Sequence, residues 1–343
     1  MSDTKAETGQ LAKPESPQER NVQTGGFNTR LLEAGDPQAD IVLLLHDGAW
    51  GGSSDVSWSR CLPLLAQRYR VLAPDFLGFG GSDKATFFDR SPYQPRMTQL
   101  EDLMEVLGIT KPVHVVGTSF GGSVALRLLV ESNLPTRSVT SIGGSGGYWK
   151  TDIMKEQLGK WDGSRADLAR VLRFLMEEDE HFESQLAARF KAASLPGHYR
   201  AVASAAMPIP ASMRNTVEPD QWPEALKRSV VPTLLVAGTH DQLFEAEWPE
   251  RVADFLPCAT IKRINSLHSP NLDRPDEVAE LVLQHLQTAE QNTQLRSSAQ
   301  AQQAGTGGSA TGGAGLSFSL GCMFSGLTPA IQTALSPPNA EGQ

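Results

Sequence analysis

Gly117-Thr118-Ser119-Phe120-Gly121 is the segment where residue type and spacing most plainly point to chemistry. It follows the apolar run VHVV and opens the helix-like SVALRLLV, the strand–turn–helix setting in which G-x-S-x-G supplies a serine nucleophile. A turn that sharp strains the backbone at the serine and needs small neighbours, and Gly117, Gly121 and Gly122 provide the room. It would lift the Ser119 hydroxyl above a sheet, over a helix N-terminus that favours developing negative charge. The alternative is a Gly-rich turn with no chemistry; phosphate-binding turns use a different spacing.

A serine hydroxyl is a weak nucleophile until a base takes its proton. Of the seven histidines, His268 in SLHSPNLDRPDEV follows the run ATIKRIN and precedes a helical pattern, the position expected of that base. His46 ends a strand and belongs to another motif, His114 packs inside a strand, and His181 and His198 fall in a separate helical block. His240 reads as structural or exposed, and His285 as a solvated residue of the closing helix. The acid that orients the imidazole is Asp241 in AGTHDQLF, between Ser119 and His268 in chain order. A tetrahedral intermediate also needs donors aimed at its oxygen. The expected pair is the backbone N–H of Phe120 and that of Gly48, in the loop His46-Asp47-Gly48-Ala49-Trp50-Gly51-Gly52.

Alternating strands and helices must hold these groups. IVLLLH (41–46), YRVLAPD (69–75), VHVVG (113–117), SVTSIGG (138–144), VPTLLVAGT (231–239) and ATIKRIN (259–265) read as short buried strands. Helical patterns lie between them, notably MTQLEDLMEVLG (97–108), and RPDEVAELVLQHLQ (274–287) closes the series. The pattern predicts an α/β fold, a mostly parallel twisted sheet with helices on both faces. Residues 21–144 and 229–289 form its core, and the strand-free, helix-rich block 145–228 forms a helical cap. Residues 1–20 read as a disordered arm and 290–343 as a low-complexity tail outside the fold.

Composition narrows the function. The chain has 343 residues, net charge −9 and no basic patch, which argues against nucleic-acid binding. MSDTKAETGQ has no apolar signal core and no segment is apolar enough to span a membrane, so a cytoplasmic location is expected. Cys61, Cys258 and Cys322 form no metal spacing or disulfide framework and read as three free thiols. No metal or organic cofactor is expected, because no ligand cluster appears. The expected partner is a small-molecule substrate, with self-association left open.

HDGAWGG, VLAPDFLGFGGSDK, VVGTSFGGSVALRL, GTHDQLF and the His268 loop together resemble the α/β-hydrolase superfamily over roughly residues 25–290. FLGFGGSDK and RFLMEEDEHFESQLAARFKAA are similar to the meta-cleavage-product hydrolases within it. That likeness implies a cofactor-free enzyme splitting a carbon–carbon bond in a 2-hydroxy-6-oxo-dienoate. It also implies substrate contacts from Arg189 in the cap, from Ser57 and from Trp50. The chain departs from that family at Asp47-Gly48-Ala49-Trp50-Gly51, at Thr118 and Ser57 where asparagines are usual, and at Ser269 where tryptophan is common. An ester, lactone or thioester substrate fits the same machinery. Two other readings are a non-catalytic binding protein, which would typically lack a triad member, and a perhydrolase or haloperoxidase-like activity. A dehalogenase or epoxide hydrolase would need an aspartate where Ser119 stands.

Overall fold

The computed structural model describes residues 16–204, 207, 212 and 220–306. Its centre is an open eight-stranded sheet in the order β1-β2-β4-β3-β5-β6-β7-β8. The strands are β1 (Gln18–Thr24), β2 (Phe27–Ala34), β3 (Ile41–Leu45), β4 (Arg70–Pro74), β5 (Val113–Thr118), β6 (Thr136–Ile142), β7 (Thr233–Gly238) and β8 (Ala259–Ile264); short helices α1 (Ser54–Trp58), α9 (Trp248–Ala253) and α10 (Pro270–Asp273) lie in the loops after β3, β7 and β8. β2 runs antiparallel to both neighbours, and every other pairing is parallel.

Period-two alternation divides the core. Along β3, Val42 and Leu44 join a cluster with Leu62 and Leu65 of α2 (Leu62–Leu65) and with Val278 and Val282 of α11 (Pro275–Thr306). Leu43 and Leu45 face the opposite way, toward Leu100 and Leu103 of α3 (Gln94–Val106) and Val124 and Leu128 of α4 (Phe120–Glu131). Helices thus cover both faces, and the sheet's central strands are apolar on both sides for that reason.

The block between β6 and β7 is helical as expected. It contains α5 (Asp152–Leu158), α6 (Arg165–Leu175), α7 (Phe182–Ala193) and α8 (His198–Ser204). Thr151 and Ser164 start α5 and α6 by accepting backbone N–H bonds from Met154 and Asp167.

Three expectations change. Residues 18–20 belong to β1 rather than to an arm, because they pair with Leu31, Leu32 and Glu33 of β2. The closing helix passes residue 290 and runs to Thr306, so the boundary drawn at 290 falls inside a helix. Ala289 is buried, and Glu290 accepts a 2.8 Å bond from the Tyr69 hydroxyl, which ties that turn to the core. Cys61 is a free, buried thiol, but Cys258 is disulfide-bonded, so the expectation of three thiols fails there. Residues 1–15 and 307–343, with most of the expected arm and tail, lie outside the described residues.

Candidate active site

β5 is buried along its whole length and delivers Ser119 at its C-terminal end, the edge where ligands sit in parallel sheets. Phe120 is the first residue of α4, so the strand turns into the helix around Ser119 alone. Ser119 has φ 54° and ψ −114°, a conformation side-chain-bearing residues rarely adopt. Its N–H is pinned by a 2.7 Å bond to the Ile142 carbonyl at the end of β6. The flanking glycines are demanded by contact. A Cβ on Gly117 would stand 2.2 Å from the Gly121 carbonyl oxygen, and one on Gly121 would stand 2.3 Å from that of Leu45.

The loops after β7 and β8 bring the other two residues in. Ser119 Oγ lies 2.9 Å from His268 Nε2, and His268 Nδ1 lies 2.8 Å from Asp241 Oδ2. For Nε2 to accept the serine proton, Nδ1 must carry hydrogen and donate it to Asp241. Asp241 is held by the Leu243 N–H on its other oxygen, at 2.8 Å. Phe244 stacks on the imidazole with ring centroids 5.5 Å apart and planes 17° from parallel. The loop is bolted to the cap as well. The Ser269 N–H donates to Leu175 at the end of α6, and Asp273 accepts from the N–H groups of both Leu267 and Glu177. Ser119, Asp241 and His268 are therefore brought together.

Gly48 and Phe120 also meet. A Cβ on Gly48 would stand 2.7 Å from Phe120 Cβ, so only glycine lets the loop after β3 approach Phe120 so closely. The Phe120 N–H opens a helix whose first amides lack an intrahelical acceptor. The loop itself is fixed by His46, whose Nε2 accepts the Phe76 N–H at 2.8 Å while Nδ1 donates to the Asp47 carbonyl. Burial lowers the pKa of His46 and favours the neutral ring this arrangement requires.

Arg189 is placed differently from the expectation. It is fully buried, and its guanidinium grips Asp47 with two bonds of 3.0 and 2.9 Å. It is not among the residues that line the cavity over Ser119. Ser57 belongs to the same network. Its hydroxyl donates to Asp47 at 2.7 Å, so its polar atom is likewise turned from the cavity. Burial alone would raise the Asp47 carboxyl, but Arg189 and then Ser57 hold it far below the usual carboxylate range. Both residues are thus engaged by a carboxylate on the loop after β3. Thr118 also points elsewhere, donating to Asn271 at 2.9 Å. Trp50 does line the cavity.

That cavity holds about 290 Å³ and opens on Ser119, Gly48, Phe120 and Phe244. It includes three cations that the sequence reading does not single out, Arg96 of α3, Lys150 at the start of the cap and Lys155 of α5. Arg96 was legible in principle, because it stands four residues before Leu100 on the buried stripe of its helix. His285 departs from expectation too. It is half-buried, and burial lowers it to about 4. Among the described residues, no group of three or more His, Cys, Asp or Glu could hold a metal ion.

Residues 42–281 match the Alpha/beta hydrolase family, and the chain belongs to it. It is an α/β-fold serine hydrolase. It is 26% identical over 248 residues to the 2-hydroxy-6-oxo-6-(2'-aminophenyl)hexa-2,4-dienoic acid hydrolase of Metapseudomonas resinovorans, across 69% of this chain and 80% of that protein. Lipase 1 of Psychrobacter immobilis is 25% identical over 256 residues, across 72% of this chain and 77% of the lipase. The solved 2-hydroxy-6-oxo-6-phenylhexa-2,4-dienoate hydrolase of Rhodococcus sp. strain RHA1 superposes with a TM-score of 0.69 at 25% identity, covering 79% of this chain and 99% of that one.

Proposed function

We propose that the chain hydrolyses a small carboxylic ester through an acyl-enzyme on Ser119. His268 takes the hydroxyl proton as Oγ attacks the carbonyl carbon, and Asp241 stabilises the resulting imidazolium. The N–H groups of Gly48 and Phe120 hold the oxyanion. Collapse expels the alcohol, which receives the proton from His268. Water, deprotonated by the same ring, then attacks the acyl carbon, and the acid leaves as Ser119 regains its proton.

The observation that carries this reading is the relay of 2.9 and 2.8 Å ending on a serine held at φ 54°. A second reading, hydrolysis of a carbon–carbon bond in a 2-hydroxy-6-oxo-dienoate, draws on the printed activities of two of the relatives. Against it stands the diversion of Arg189 and Ser57 to Asp47.

Turnover of 4-nitrophenyl esters and of a dienoate, measured in parallel, separates the two. Ester hydrolysis that is lost in Ser119→Ala, by about 10³-fold or more, supports the proposal. Turnover of the dienoate alone would establish the second reading. Turnover of neither would favour a binding protein.

A further inference from the structure

Arg96 sits in the first turn of α3, at the positive end of the helix dipole, where a cation is unfavourable. It is 6% exposed. Its Nη1 and Nη2 donate to the carbonyls of Pro92 and Leu77, and its Nε is buried with no acceptor. No carboxylate pairs with it among the described residues, unlike the buried Arg127 and Arg189, which hold Asp220 and Asp47. Burial pulls it down to about 10, so it stays charged at neutral pH.

Lys150 repeats the anomaly across the cavity. It is half-buried, has no carboxylate partner among the described residues, and is lowered by burial and then by Arg127 and Lys155. The third lining cation, Lys155, is exposed and already paired with Asp152. Among the described residues, no Asp or Glu lines the cavity.

The two unpaired cations line the same cavity as Ser119. The Arg96 guanidinium lies 6.0 Å from the ring of Phe120, the residue after Ser119. The backbone of Lys150 forms a single antiparallel bridge with that of Phe244, whose ring stacks on His268. A buried cation with no counter-ion is costly unless a ligand supplies one.

We propose that the substrate's acyl portion ends in a carboxylate, and that Arg96 and Lys150 are its anchors. This rests on the serine-hydrolase reading of the same cavity. A carboxylate matches the guanidinium fork, and the apolar walls around Trp50 and Phe79 accommodate the chain between the carboxylate and the reacting carbonyl. The specificity pole is then set by α3 and the segment that leads from β6 into α5, not by α7.

The test compares mono-4-nitrophenyl glutarate with neutral 4-nitrophenyl hexanoate. The wild type should favour the glutarate. Arg96→Met and Lys150→Met should each lower the glutarate-to-hexanoate ratio of kcat/KM by about 10- to 100-fold. Arg96→Lys should restore part of the preference. Because the result is a ratio, a lower folded fraction does not imitate it, and Lys150→Met stands alone if Arg96→Met does not fold. Calorimetric binding of glutarate to Ser119→Ala, with butyrate as the control, reads the anion site without turnover. Glutarate binding without hydrolysis of either ester would overturn the serine-hydrolase reading and keep the anchors. Equal preference for both esters in the wild type, or an unchanged ratio in both Met variants, would overturn the anchors.

Discussion

Ser119 holds a backbone conformation that costs on the order of 1–3 kcal/mol, and it persists because glycine at 117 and 121 lets the surrounding backbone pack tightly against its turn. Asp47 shows the opposite economy, a buried charge stabilised by its surroundings. Its carboxylate takes two bonds from Arg189 and one from Ser57, one residue before Gly48. Arg189→Met would leave that charge unpaired, and denaturant unfolding should show a loss of about 3–5 kcal/mol. Adding Asp47→Asn should recover part of it. Both esters should lose kcat/KM by the same factor, because Arg189 holds Asp47, next to Gly48, and does not line the cavity; a selective loss for the glutarate would return Arg189 to the binding site. At this scale the meeting of Ser119, His268 and Asp241 was legible because their signal is local, a motif between a strand and a helix or a loop in a fixed chain order. Arg189's partner lies 142 positions away, and nothing in a helical pattern says which distant carboxylate a guanidinium will meet.

The elements carry a pH dependence of their own. His114 of β5 is lowered to about 3 by burial and then by Arg137, and His285 of α11 is lowered to about 4 by burial. In the unfolded chain such rings titrate near about 6.5. The unfolded chain therefore binds their protons first, so the stability present above about pH 6.5 is lost as the pH falls toward the folded values. Each ring contributes a slope of at most about 1.4 kcal/mol per pH unit in that window. Melting temperature should fall from pH 7 to pH 5, and more shallowly in His114→Asn; equal slopes would show that His114 does not carry the effect. The buried parallel strands were legible as continuous apolar runs. β1 and β2 were not, because QERNVQT and FNTRLLEA mix polar and apolar residues at the antiparallel end of the sheet. The length of α11 was missed because its last turns lack the apolar periodicity of its start.

Across the whole molecule, a chain of net charge −9 surrounds a cavity lined, among the described residues, by cations and no acids. Overall charge describes the surface and not the site, which is why composition pointed to a small-molecule enzyme without indicating an anionic substrate. No helix among the described residues is long and apolar enough to cross a membrane. The sheet, the cap and the loops after β3, β5, β7 and β8 converge on one hydroxyl. The direct measurement of that convergence is labelling of the folded protein with a fluorophosphonate, followed by peptide mass spectrometry. The account predicts one adduct per chain, on Ser119, that fails to form in His268→Ala on the same timescale. An adduct on another residue, or unchanged labelling in His268→Ala, would contradict it.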